Sequence, residues 1–156
     1  MNKGENMGSV YNQVINYQNK HHGGIAWRLA KHAAVIELHL NSDEMVLYAF
    51  PGQRNDSFWN IFSTCIICLT NKRLLIGQKN LIFGYSLTSI TPDLFNDMEV
   101  YEGLIWGKIV IDTVKEVVVL TNLDKHALPE IETNITEVMI KEKQKYLNPS
   151  VANNSN

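Results

Sequence analysis

Seven short, apolar-rich, β-prone stretches follow one another between residues 44 and 121, and a single amphipathic helical stretch comes after them. The pattern predicts strands over 44–50, 62–70, 73–77, 81–87, 94–101, 107–114 and 116–121, with Pro51-Gly52 closing the first. The breakers between later strands are brief: Asn71-Lys72, Gln78-Lys79-Asn80, Thr91-Pro92-Asp93, Glu102-Gly103 and Lys115. Connections this short hold no crossover helix, so the chain reads as an all-β sandwich or barrel rather than βαβ units. Ile109 and Ile111 alternate with Lys108 and Asp112, and Met98 and Val100 with Asp97, Glu99 and Tyr101, as expected of strands buried on one face. Val117 to Leu120 is apolar on both faces and needs a second cover.

The last helix is expected from Pro129, tolerated in a first turn, to about Tyr146. Leu128, Ile131, Ile135, Val138 and Met139 recur at steps of three and four and mark its buried face. Two helices are predicted ahead of the strands. Ser9 caps the first, which runs to Lys20 with Val10, Val14, Ile15 and Tyr17 on one side, before His21-His22-Gly23-Gly24 breaks it. The second spans Ile25 to about Leu38, with Arg28, Lys31, His32 and His39 on a polar stripe. The expected organisation is an N-terminal helical extension (1–43), a β domain with its closing helix (44–147) and a disordered polar tail (148–156).

Composition narrows the function. With 156 residues, 45% hydrophobic and 19% charged, the chain is ordinary for one globular domain. A net charge of −2 argues against nucleic-acid binding. No apolar run approaches the roughly 20 residues of a spanning helix, and Met1 to Gln18 holds no signal-peptide core, so a cytoplasmic location is expected. Cys65 and Cys68 lie three apart on a predicted strand, where side chains alternate faces, so the two sulfurs point apart and behave as buried small hydrophobes. Surface or capping roles are expected for all five histidines, and no metal or other cofactor. Nucleophile-elbow, phosphate-loop and zinc-helix motifs are absent, and Asp97, Glu99 and Glu102 read as charges guarding an edge strand. The chain reads as a non-enzyme.

The run Leu69-Thr70-Asn71-Lys72-Arg73-Leu74-Leu75-Ile76 resembles the strand–turn–strand of the bacterial pleckstrin-homology (PH) domains of the YokE-like group. Tyr85 to Ile90, the glycine-flanked Gly103 to Ile111 and Leu123-Asp124-Lys125 are similar to the elements that follow in that group. The resemblance covers residues 44–140 and implies a mainly β fold with α additions: a PH-like seven-stranded sandwich or barrel capped by a C-terminal helix, here preceded by two N-terminal helices. Asn71 suits the hairpin turn, and the resemblance gives Arg73 a structural role.

Such folds host lipid, peptide and protein binding alike. The loop Gln53 to Ser57 offers one arginine, Arg54, beside Asp56, too few donors for a polyphosphate headgroup, and Lys72 lies on a different hairpin. Phe58 and Trp59 are a candidate anchor, although aromatic side chains favour burial in the barrel mouth. Trp27, Arg28 and Lys31 suit an anionic bilayer, but Ala30, Ala33 and Ala34 favour docking of that helix on protein. The expected function is binding or assembly through protein contacts with a partner or a second copy. The alternative is a peripheral adapter on anionic membranes.

Overall fold

The computed structural model describes residues 9–21, 27–54 and 61–147. The expected disordered tail 148–156, residues 22–26 and the aromatic pair Phe58-Trp59 lie outside them. The elements run α1 (Ser9–Lys20), α2 (Leu29–Glu37), β1 (Val46–Arg54), β2 (Thr64–Thr70), β3 (Leu74–Lys79), β4 (Tyr85–Ile90), β5 (Phe95–Glu102), β6 (Trp106–Thr113), β7 (Val117–Asp124) and α3 (Leu128–Leu147). Short 3-10 turns, Ile61–Ser63 and Lys125–Ala127, lead into β2 and α3. Seven antiparallel strands form a curled half-barrel in the order β4-β3-β2-β1-β7-β6-β5, a PH-like fold with one C-terminal and two N-terminal helices.

Three expected boundaries move. Pro51-Gly52 does not end β1: Pro51, Gly52 and Gln53 stay paired with Ile66, Cys65 and Thr64 of β2, and Gln53 and Arg54 then pair with β7. The chain there is buried, so its backbone polar groups need the ladder. The fourth strand begins at Tyr85, because Gly84 takes φ 73° and its carbonyl accepts from the Asn80 N–H at 3.2 Å, closing a turn over Leu81-Ile82-Phe83. Helix α2 starts at Leu29, since Arg28 sits in the left-handed region at φ 53° while its carbonyl accepts from the N–H groups of Lys31 and His32.

Two cores lie on opposite faces of the sheet. The inner one, inside the half-barrel, joins Phe50, Ile67, Leu74, Phe95, Ile109, Ile111 and Leu120 to the Leu128, Ile131, Ile135 and Met139 face of α3. The outer one covers β1–β3 with α1 and α2: Val10, Val14, Leu29, Ala33 and Ile36 pack on Ala49, Ile66, Cys68 and Leu75. Cys65 belongs to the inner core and Cys68 to the outer, as strand alternation requires. Each fully buried large aliphatic contributes about 1.5–3 kcal/mol, so the added helices are an integral layer.

The second cover therefore lies on β1–β3. On β7, Val118 and Leu120 are buried while Val117 stays exposed. The predicted alternation holds on β6, where Ile109 and Ile111 are buried and Asp112 is exposed.

Candidate functional site

Nothing among the described residues gathers three or more histidine, cysteine or acidic side chains into a metal-binding group. Both cysteines are free and buried. Burial pushes the Cys65 thiol up to about 12 and the Cys68 thiol up as well, which keeps them protonated and poor nucleophiles. No described helix is long and apolar enough to cross a membrane.

The cationic candidates are mostly held by carboxylates. Arg54, at the end of β1, donates to the Thr88 hydroxyl at 2.8 Å and to Glu116 at 3.3 Å. Arg73 is a strut: its guanidinium grips the buried Glu44 carboxylate through two 2.9 Å bonds and donates to the His39 carbonyl at 3.0 Å and the Ser89 hydroxyl at 3.2 Å. Burial alone would raise the Glu44 carboxyl. The hydrogen bonds from Arg73, the Asn41 N–H and the Thr70 hydroxyl outweigh it and hold the group below the usual carboxylate range. Lys72 pairs with Asp43. Asn71 exchanges hydrogen bonds with the Met45 backbone, tying the β2–β3 turn to the entry of β1.

One end of the sheet gathers most of the predicted contact residues. Strand pairing puts the C-terminal ends of β1 and β3 and the starts of β2 and β4 together. Arg54 ends β1 there. Trp27 lies edge-on to Phe62 at 5.7 Å, and the Arg28 guanidinium sits over the indole at 5.0 Å and reaches the Asn80 carbonyl at 3.5 Å. Lys31 projects from the exposed side of α2, whereas Lys72 lies at the other end of β3.

Two histidines, His21 and His32, correct the expectation of surface roles, while His126 is exposed as expected and His22 lies outside the described residues. His32 is fully buried instead of lying on a polar stripe, because the first turn of α2 faces β3 and its Nδ1 accepts from the Lys79 N–H at 2.9 Å. Burial, with the Arg28 charge second, lowers its pKa to about 4, so the ring is neutral. His21 is also buried, against Tyr17, with Nε2 at 3.1 Å from Glu130 of α3. Lys20 meets the same carboxylate at 2.5 Å, and Tyr17 stacks into the inner core beside Phe50, so the C-terminal end of α1 is clamped to the start of α3. His39 lies past the end of α2, on Tyr85, not on its face.

The strand prediction over 81–87 hid the most exposed apolar group at this end, Leu81, Ile82 and Phe83. Gly84 was the signal: after Gln78-Lys79-Asn80 it marks the far side of a turn.

The family model described as "Bacterial PH domain" matches residues 40–137. Among solved structures, the chain is similar to a pleckstrin homology domain from Shewanella amazonensis SB2B, with 14% identity over 76% of this chain and 90% of that one, at a TM-score of 0.45. It is similar too to a DUF1696 family protein with a pleckstrin-homology domain from Shewanella loihica PV-4, with 14% identity over 72% of this chain and 91% of that one, at a TM-score of 0.47. No curated protein matches the chain.

Proposed function

The chain belongs to the bacterial PH domain family, and from that premise we propose that it is a non-enzymatic binding and assembly module acting through protein–protein contacts, with a second copy of itself as one partner. On this proposal residues 1–43 are an extension, of which α1 and α2 dock onto a family domain of residues 44–147.

The contrast between the two edges of the sheet carries the reading. At one edge, β5 carries Asp97, Glu99 and Glu102 and a register irregularity between Phe95 and Asp97, devices that discourage strand addition. At the other, β4 reads Tyr-Ser-Leu-Thr-Ser-Ile, with no charge, proline or glycine, and among the described strands it pairs with β3 alone. Such a strand offers its free N–H and C=O groups to another strand. A two-fold pairing of β4 with its copy satisfies both edges at once.

Light scattering on the eluting full chain over a wide concentration range tests this. A dimer that dissociates on dilution is the expected result, and Ser86→Lys, which places a charge on each paired edge, is expected to give monomer with unchanged circular dichroism. Wild-type protein that stays strictly monomeric at high concentration would remove self-association from the proposal.

A further inference from the structure

We infer that the β3–β4 turn is a wedge that seats the protein on an anionic lipid bilayer, a surface separate from the β4 edge. Leu81, Ile82 and Phe83 are 57%, 77% and 85% exposed, three consecutive apolar side chains on a convex turn. Single exposed apolar residues need no explanation, but a contiguous group does.

A second apolar tip, Leu104-Ile105 between β5 and β6, is 91% and 66% exposed and provides the control. The two tips differ in the charge around them. From residue 74 to 92 the chain holds Lys79 and no acidic residue, while Lys72 and Arg73 lie at the far end of β3, paired with Asp43 and Glu44. Helix α2 lies antiparallel on β3, with His32 bonded at Lys79 and Ile36 over Gly77, so its first turn stands beside the β3–β4 turn. That turn brings Arg28 and Lys31, again without a carboxylate nearby in sequence. Around Leu104-Ile105 the chain carries Glu99, Glu102 and Asp124 against Lys108 and Lys125, and Lys125 is drawn to Glu102 and to the Leu104 carbonyl. An anionic surface attracts the first tip and is opposed by the carboxylates of the second.

Shape and rim point the same way. A protein partner would need a concave apolar pocket ringed by carboxylates, whereas a fluid bilayer accepts a convex wedge as it stands. Trp27 and Phe62 flank the turn, and Phe62 is tied to it by a 2.6 Å bond from the Gln78 side chain to its carbonyl. An indole suits the headgroup level, with an apolar body and one polar N–H. Arg54 and Arg73 are paired with Glu116 and Glu44, so the attraction is general for negative lipid and not selective for one polyphosphate headgroup.

Flotation of the full chain with vesicles of phosphatidylcholine alone and of phosphatidylcholine mixed equally with phosphatidylglycerol tests the inference. Binding is expected to the anionic vesicles, weakening as salt rises. Phe83→Ser is expected to lower partitioning about tenfold or more, and Lys79→Glu about fivefold. Ile105→Ser, at the second tip, is expected to leave it unchanged. These side chains are exposed or half-exposed, and circular dichroism checks that each variant is folded. The inference is overturned if folded wild type stays unbound, if Phe83→Ser floats as well as wild type, or if neutral vesicles bind equally well. Loss of dimer in Phe83→Ser, with no vesicle binding by wild type, would assign the tip to protein contact instead. Flotation reads the tip and light scattering reads the β4 edge, so either can fail without the other.

Discussion

In β1–β3 both faces of the sheet are buried, whereas β5 and β6 bury one face and leave Asp97, Glu99 and Asp112 of the other exposed. Strand β2 is enclosed along its whole length. Each half meets one helix at a strand glycine, but from opposite sides. A Cβ on Gly77 would lie 2.5 Å from Ile36 of α2 on the outer face, and one on Gly107 2.7 Å from Leu128 of α3 on the inner face. The inner contact belongs to the terminal helix expected of the fold, and the outer one to the N-terminal layer. That layer turns half of an ordinary one-faced sheet into a three-layer stack, with His32 bonded to the Lys79 N–H and Lys20 paired with Glu130. The doubly covered half also presents the apolar turn and the uncharged edge.

The sharpest way to break the contrast is Arg73→Ala, which strands the buried Glu44 carboxylate in the doubly covered half. A loss of about 3–5 kcal/mol in urea unfolding is expected. Ile36→Ala removes the contact over Gly77 and is expected to cost about 2–5 kcal/mol. Val117→Ala, on the uncovered face of β7, is expected to stay within about 0.5 kcal/mol. Equal effects from these two would show that the outer layer contributes little.

The outer layer also carries a proton signature. The native His32 ring titrates at about 4 against an ordinary value of 6.5, so the unfolded chain binds the extra proton first. This contribution is complete above pH 6.5 and is lost as pH falls through that window, on the order of 3 kcal/mol in all. Glu44 has the same sign but acts lower: its contribution is present above the ordinary glutamate value of 4.5 and is lost as pH falls through the depressed native value. Stability measured against pH in wild type and in His32→Gln, which keeps an acceptor for the Lys79 N–H, should separate the two, with the upper step missing in the variant.

The smallest test compares two turns of one design. Thr70 Oγ1 accepts from the Lys72 and Arg73 N–H groups at 3.2 and 3.1 Å, and Thr113 Oγ1 from those of Lys115 and Glu116 at 3.2 and 3.0 Å. Only the Thr70 hydroxyl also donates to a buried carboxylate, Glu44, at 2.8 Å. Thr113→Val should cost about 1 kcal/mol and Thr70→Val more, by chemical denaturation.

Much of the fold was legible because its signals are local. The alternation of Ile109 and Ile111, the three- and four-residue steps of α3 and the opposed faces of Cys65 and Cys68 follow from backbone period alone. Of the candidate contact residues, Trp27 and Arg28 touch each other beside Phe62, Arg54 reaches Thr88 and Glu116 instead, and Lys72 lies at the other end of β3, while the Leu81-Ile82-Phe83 turn reads as strand in the sequence. His32 was misread because a helical stripe shared with Arg28 and Lys31 does not say which side meets a sheet.

By itself the sequence determined the seven strands, their antiparallel succession and the closing helix, since periodicity and turn residues act over a few positions. Only the tertiary structure decided which half of the sheet gains a second cover and which charges are spent in pairs. Those outcomes rest on contacts such as Arg73 with Glu44, Lys79 with His32 and Lys20 with Glu130, separated by 29, 47 and 110 positions along the chain. No local propensity encodes such a pair; it forms only when the layers close and the exclusion of water makes an unpaired buried polar group costly.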